Sequence, residues 1–152
     1  QRVGTVTLVG AQMMMPLGHA PVRQSHTWGA LNVSSPMQRA DLQIEIDGGE
    51  DDTSIRNASR VIDELNSVCE VDGVVFANAV VSHSNEYLLG EPEEMNRRAW
   101  IGDSLGRLET NVTVAEFTLD MTSYLLTQTA RACQRSGVSS AVLVTLRRGE
   151  TG

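Results

Sequence analysis

The stretch that most constrains the fold is Asp52 to Val81, which reads DTSIRNASRVIDELNSVCEVDGVVFANAVV. From Ile55 onward its apolar residues recur at spacings of three and four, the pattern of a helix with one buried face. Asp52 and Thr53 suit the start of that helix, because their side-chain oxygens accept backbone N–H groups. The following segment, Gly73 to Val81, is almost wholly apolar and predicts a strand buried on both faces or in a subunit interface. A layered domain of helices on a sheet is therefore expected.

Further segments have the composition or the alternation of strands. Asp41 to Asp47 alternates strictly between apolar and polar residues. It predicts a half-exposed strand that lies antiparallel to the first strand of the chain. The other segments contain β-branched residues, which favour the extended backbone. They are Arg2 to Val9, Val112 to Leu119 and Ala141 to Leu146.

Two more helices and a long loop complete the predicted order of elements. One helix is predicted from Pro92 to Leu108, because proline suits the first turn of a helix. Another is predicted from Ser123 to Gln134, with Asp120 or Thr122 as its cap. The segment from Gly10 to Ser35 has no periodicity and predicts a loop.

The composition excludes several classes of function. The 152 residues, 41% of them hydrophobic, suit one domain that spans residues 1–152. A net charge of -7 disfavours nucleic acid as a partner, because phosphate binding needs clustered basic residues. All 12 basic residues are arginines, which excludes Schiff-base lysine chemistry and a Walker-type phosphate lysine. No segment has the pattern of a membrane span or a signal peptide, so we expect no membrane partner and a place in the cytoplasm or an organellar matrix.

Candidate nucleophiles and metal ligands are few. Cys69 and Cys133 each fall on an apolar helix face, which is typical of small buried hydrophobic residues. His19 and His26 share the long loop, but no cysteine or second carboxylate stands beside them at a ligand spacing. Gly102 to Leu105 has the letters of an esterase nucleophile motif without the apolar strand that should lead into its serine. The sequence therefore predicts no catalytic residue, no metal and no cofactor.

Asn78 is the most informative polar residue of the apolar segments. It is the one amide within Val74 to Val81. A buried amide needs hydrogen-bond partners. We therefore expect Asn78 to be satisfied by a neighbouring strand or to be presented to a ligand.

Several segments together resemble the RidA (YjgF) family. That family has a strand ending in S-G-Q, a helix that leads into an apolar strand, a later strand that runs into a D-M-x-x-[FY] helix start, and a closing L-P-x-G turn. The similar segments here are Leu8 to Gln12, Ile55 to Val68, Val74 to Val81, Val112 to Tyr124 and Leu146 to Gly149. The resemblance is scattered over most of the chain.

The resemblance implies a fold, an assembly and a kind of ligand. The fold is α+β, a chorismate-mutase-like mixed sheet with helices packed on one face. The assembly is a homo-oligomer, a trimer with small-molecule sites between its subunits. The ligand is a small amino-acid-derived metabolite that carries a carboxylate. Gln12 and Asn78 are then the expected hydrogen-bonding groups, and Arg135 is the expected partner of the carboxylate.

One departure from the family bears on catalysis. Imine-hydrolysing members use an arginine in a P-x-R segment, and the corresponding place near Val138 has neither proline nor arginine. Arg135 is the nearest basic residue in the sequence. We therefore expect binding without strong deaminase activity. Similar domains are appended to eukaryotic diphthine-ammonia ligases.

Two alternative hypotheses belong to other classes. A doubly wound α/β enzyme or fragment would explain the alternation of strands and helices in the second half. Val74 to Val81 also resembles the core strand of short-chain dehydrogenases, although a chain without lysine lacks their Tyr-x-x-x-Lys pair. A non-catalytic structural subunit of a larger assembly would use the Met-rich loop, Gly10 to Ser35, to contact partners. Sheet topology separates the first alternative from the RidA-like fold, since a doubly wound sheet has helices on both faces.

Overall fold

The computed structural model describes residues 10–17, 40–69, 74–83, 101–115 and 117–149. Within them the chain forms five strands and three helices. The strands are β1 (Gly10–Met15), β2 (Ala40–Asp47), β3 (Val80–Ser82), β4 (Arg107–Val114) and β5 (Val142–Arg148). The helices are α1 (Thr53–Arg56), α2 (Ala58–Cys69) and α3 (Leu119–Arg135).

The five strands form one sheet in the order β1-β5-β2-β4-β3. Every described pair of neighbouring strands is antiparallel. From β2 onward the chain follows the order β-α-β-β-α-β of a ferredoxin-like arrangement, and β1 is added beside β5. The predicted α+β class is confirmed. The mixed sheet and the doubly wound alternative would both include parallel pairs, which the described strands do not form.

One face of the sheet carries the main hydrophobic core. Alternate residues of β2 point to this face, and Leu42, Ile44 and Ile46 are each 0% exposed. The predicted amphipathic helix supplies Leu65 from α2, and α3 supplies Leu125 to the same core. Both helices therefore pack on one face of the sheet. Cys69 and Cys133 are buried, as predicted, and they are not joined in a disulfide.

The ends of the helices are defined by specific side chains. The Thr118 Oγ1 accepts a hydrogen bond from the Met121 N–H at 3.1 Å, so α3 begins at Leu119. The predicted caps Asp120 and Thr122 are wrong, because both lie inside the first turn. A strand was predicted from Val112 to Leu119, but β4 ends at Val114 and Leu119 is already the first residue of α3.

The break between α1 and α2 has a role in packing. Asn57 separates the two helices, and its Nδ2 donates to the Ser136 carbonyl at 3.2 Å. Arg60 donates from Nη2 to the Arg135 carbonyl at 3.1 Å. Carbonyl groups in the last turn of a helix have no partner within the helix. Asn57 and Arg60 therefore provide hydrogen bonds to two carbonyl groups at the end of α3.

The apolar segment Gly73 to Val81 differs most from its prediction. Only Val80–Ser82 forms a strand, together with a single bridge between Phe76 and Val112. Val75 is 72% exposed and Val80 is 61% exposed in the single chain. The segment lies at the edge of the sheet, so burial on both faces is wrong for one chain. Burial of this segment in a subunit interface stays a prediction.

Other predicted boundaries were also shifted. Residues 10–15 form β1, although Gly10 to Ser35 was predicted to be a loop. The helix predicted from Pro92 to Leu108 lies mostly outside the described residues, and Arg107 and Leu108 belong to β4. The strand predicted at Arg2 to Val9 also lies outside them. The expected pairing of that strand with Asp41 to Asp47 therefore stays a prediction, and β1, a different segment, pairs with β5.

Candidate functional site on the polar face of the sheet

The face of the sheet away from α2 and α3 carries polar side chains. Residues directly opposite one another on neighbouring strands point to the same face, so the register defines rows across the sheet. Three rows cross β4, β2 and β5, in that order. They are Asn111, Gln43 and Arg147; Glu109, Glu45 and Thr145; and Arg107, Asp47 and Leu143. The row of Glu45 continues to Val80 on β3 and to Gln12 on β1.

The centre of this face holds a buried ion pair. Arg107 Nε lies 3.2 Å from Glu45 Oε2, and the two side chains are 2% and 1% exposed. Glu109 stands directly opposite Glu45 on the neighbouring strand. Like charges in directly opposed positions destabilise a sheet. Among the described residues, neither Oε1 nor Oε2 of Glu45 has a hydrogen-bond partner of good geometry, so Oε2 is held to Arg107 by charge.

The surroundings of Glu45 disfavour its ionised form. Burial raises the pKa of Glu45 from 4.5 to about 7. The positive charge of Arg107 lowers the pKa of Glu45, whereas the negative charges of Glu109 and Asp47 raise it further. A buried carboxylate with such a perturbed pKa is more common at functional sites than elsewhere. A carboxyl group with a pKa of about 7 can exchange its proton with the solvent near neutral pH.

One end of the polar face is closed by a tight turn. Asp47 Oδ1 accepts the Gly49 N–H at 2.8 Å. Gly49 has a φ of +62°, and a Cβ atom there would lie 1.9 Å from the Ile101 carbonyl oxygen. Ile101 packs against Met14 and Leu143 to form a small apolar cluster. This cluster covers the end of the face beside Asp47.

Two adjoining cavities open on the same face. The larger one, called the groove below, has a volume of about 520 Å³. Small-molecule sites typically have volumes of roughly 300–1,000 Å³. The second, called the small cavity, has a volume of about 120 Å³. The groove is lined by polar side chains that include Asp41, Gln43, Asn111 and Thr113, and the small cavity by Gln43, Asn78, Val80, Glu109 and Asn111 among others.

The groove has a polar floor and an apolar wall. Val75 and Phe76 line it from the segment before β3. On the floor, Gln43 Oε1 accepts a hydrogen bond from Arg147 Nη2 at 2.9 Å. This contact places a guanidinium group next to an amide that lines both cavities. Thr113 Oγ1 donates to Asp41 at 2.7 Å, which fixes the outer end of the floor.

The predicted ligand-binding residues lie in different places. Gln12, at one edge of the sheet, donates from Nε2 to Thr145 Oγ1 at 3.0 Å. Asn78 is exposed and lines the small cavity beside the opposite edge. Four strand spacings of about 4.8 Å separate the two edges, a distance of roughly 19 Å. Arg135 ends α3 and pairs with Glu64 at 3.7 Å. One chain therefore does not bring the three together, and their role as a joint site between subunits stays a prediction.

The sequence reasoning did not predict the buried pair of Glu45 and Arg107, although the sequence contains a signal for it. The alternation of Asp41 to Asp47 already placed Glu45 and Asp47 on the polar side of a strand. The segment Arg107 to Val114 alternates in the same way, with Arg107 and Glu109 among its polar positions. A helix was predicted as far as Leu108, and this hid the second alternation. Two alternating strands with acidic and basic residues would have pointed to the buried pair.

The described part of the chain offers no evident metal centre. No group of three or more His, Cys, Asp or Glu side chains within residues 10–17, 40–69, 74–83, 101–115 and 117–149 is placed to hold a metal ion. No helix within these ranges is both long and apolar enough to cross a membrane. The chemistry that the described site offers is hydrogen bonding, charge pairing and exchange of a proton at Glu45.

The chain was compared with models of protein families, with curated proteins and with solved structures. None of the three comparisons found a match.

Proposed function

We propose that this chain is a RidA-like oligomeric domain that binds a small amino-acid-derived carboxylate on the polar face of its sheet, without strong deaminase activity. The observation that carries the proposal is the groove, about 520 Å³ in volume, beside a row of buried charges. An apolar wall with a few polar groups on the floor is typical of small-molecule sites.

The carboxylate of the ligand binds near Gln43. Arg147 contacts this amide and supplies the positive charge. A guanidinium group suits this role because it can donate two parallel hydrogen bonds to a carboxylate. Asn111, which lines both cavities, and Asn78, which lines the small cavity, offer further hydrogen bonds. In an assembly, Arg135 of a neighbouring subunit supplies a second cation to the same ligand.

Self-association is the second part of the proposal. Val75 and Val80 are 72% and 61% exposed, and Val81 next to them is 37% exposed. Adjacent exposed apolar side chains at a sheet edge favour contact with another chain. The same feature supports the alternative function, a structural subunit of a larger assembly. A trimer is the assembly that the family resemblance implies.

Titration calorimetry with three-carbon carboxylates tests the binding. L-lactate, pyruvate and L-alanine are the probes, and Arg147→Met should weaken the binding of each by about tenfold or more, since a charged hydrogen bond contributes roughly 1.5–3 kcal/mol. Ser123→Ala changes an exposed side chain on α3 and should leave affinity unchanged. If Arg135→Met weakens binding equally, the site lies between subunits. If no probe binds to the unmodified protein, the proposed function is refuted.

Sedimentation velocity tests the assembly. The unmodified protein should sediment as an oligomer. Val80→Lys adds a charge to the exposed edge and should shift it toward the monomer, whereas Ser123→Lys adds the same charge on α3 and should not. A monomer at all concentrations contradicts the oligomeric part of the proposal. Binding of the probes by such a monomer would leave the ligand part intact.

A further inference from the structure

The small cavity combines one carboxylate with several uncharged acceptor groups. Glu109 lines it together with the amides of Gln43, Asn78 and Asn111. Carboxylate and amide oxygens accept hydrogen bonds, and a primary ammonium group brings three N–H donors and one positive charge. Hydrogen bonds between ionised partners are roughly twice as strong as those between neutral groups. The chemistry of this lining therefore fits a cationic amine.

The charges of the whole face favour the same ligand group. Among the described residues, carboxylates outnumber guanidinium groups on this face. They are Asp41, Glu45, Asp47 and Glu109, against Arg107 and Arg147. His83 follows β3 and contacts the Leu105 carbonyl with its Nδ1 at 3.1 Å. Arg107 is paired with Glu45, and Arg147 contacts Gln43, so neither guanidinium group is directed at Glu109.

Glu45 connects this cavity to the buried ion pair. It stands directly opposite Glu109, on the same face of the sheet. Its side chain is 1% exposed, and its Oε1 has no hydrogen-bond partner within the described chain. A positive charge at Glu109 would weaken the repulsion between the two carboxylates. It would thereby favour the ionised form of Glu45.

We infer that the small cavity binds the primary ammonium group of the ligand at Glu109, and that this binding releases a proton from Glu45 to the solvent. The inference rests on the proposed function and adds to it the amino end of the ligand and its dependence on pH. The proton leaves Glu45 as the cation arrives, so the charge of the buried face changes little on binding.

The size of the effect follows from the ionisation of Glu45. With a pKa of about 7, Glu45 is ionised in about a tenth of the molecules at pH 6 and in about nine-tenths at pH 8. A ligand that binds only the ionised form therefore gains up to about tenfold in affinity over this interval. The affinity rises with pH, because the protein must release a proton to bind.

Calorimetry with L-alanine and L-lactate, at about pH 6 and about pH 8, tests the inference. The two acids differ in an amino or a hydroxyl group on the second carbon, and the amino group of alanine stays protonated at both pH values. Alanine should bind up to about tenfold more tightly at the higher pH. Titrations in buffers of different ionisation enthalpy should show protons released on binding. Lactate should show neither effect.

Three variants identify the groups. Glu45→Gln keeps the shape of the side chain and should remove the pH dependence, with alanine bound no more tightly than by the unmodified protein at about pH 6. Glu109→Gln should remove the preference for alanine over lactate. His83→Gln is the control and should retain the full pH dependence, because His83 lies beside Leu105. Circular dichroism of each variant establishes that it is folded.

The outcomes separate this inference from the proposed function. If neither acid binds, the proposed function fails and the inference fails with it. If both acids bind with equal affinity and no pH dependence, the inference alone is overturned. If the pH dependence of alanine binding persists in Glu45→Gln or is lost in His83→Gln, another group exchanges the proton, and the inference is overturned as well.

Discussion

Replacement of Glu45 by glutamine should stabilise the protein at alkaline pH. The folded protein binds the Glu45 proton more tightly than the unfolded chain, because burial raises the pKa from 4.5 to about 7. The stabilisation from this proton is fully present below about pH 4.5 and is lost as the pH rises through about 7. At about 1.4 kcal/mol per pH unit, the loss amounts to about 3 kcal/mol.

The substitution separates this effect from the titration of other groups. An amide is neutral at every pH and has the shape of the protonated carboxyl. Urea unfolding of both proteins between about pH 4 and pH 8 gives the difference in free energy of unfolding. That difference should be near zero at the acidic end. It should rise to about 3 kcal/mol in favour of Glu45→Gln at the alkaline end.

A matched variant controls for the change in net charge. Asp63 is an exposed residue of α2, and Asp63→Asn also removes one negative charge. It should show no comparable rise with pH. The reasoning is refuted if the two variants behave alike, or if Glu45→Gln is less stable than the unmodified protein at pH 8. The second result would mean that the ion pair with Arg107 stabilises the fold by more than burial of the carboxylate costs.

Two further predictions concern the stability of the fold. Gly49→Ala should lower the free energy of unfolding by more than about 3 kcal/mol in urea, because it combines a positive φ with a clash against the Ile101 carbonyl. Gly137 has a φ of +95° and open space around it, so Gly137→Ala should lower the free energy of unfolding by only about 1 kcal/mol or slightly more. Equal effects of the two substitutions would contradict the role of the clash. Thr118→Ala should cost about 1 kcal/mol in the same assay, since it removes the cap of α3, whereas Thr118→Ser should cost less.

The sequence predicted those elements that have one apolar face. Asp41 to Asp47 alternates because one side of β2 meets the helices, and the structure has the strand over these residues. The predicted exposure of its polar side is wrong at Glu45 and Asp47, which are 1% and 0% exposed. The helix predicted from Asp52 was likewise recognised by its apolar face, since Val61, Ile62 and Leu65 face the core. It is divided at Asn57, however, and the Asp52 side chain makes no cap hydrogen bond. The strand Val142–Arg148 was found to within two residues of its prediction.

The errors arose where tertiary contacts decide the outcome. The apolar run before β3 was expected to be buried, but its position at the edge of the sheet leaves Val75 exposed. Which strand forms the edge depends on the order of all five strands, and local composition does not report it. The site was missed for a related reason, because Glu45 and Glu109 become neighbours only through the register of β2 and β4.

One small contact near the edge has a consequence for solubility. The Phe76 N–H donates to Asn66 Oδ1 at 2.8 Å, and Asn66 Nδ2 reaches the Phe76 carbonyl at 3.5 Å. In the bridge between Phe76 and Val112, the hydrogen bond is donated by the Ala77 N–H to the Asn111 carbonyl. The backbone N–H and C=O groups of Phe76 itself therefore point away from β4, outward from the sheet. Unpaired outward groups on an apolar strand are templates for aggregation. A single amide on α2 thus occupies the position that a strand of another molecule would otherwise take.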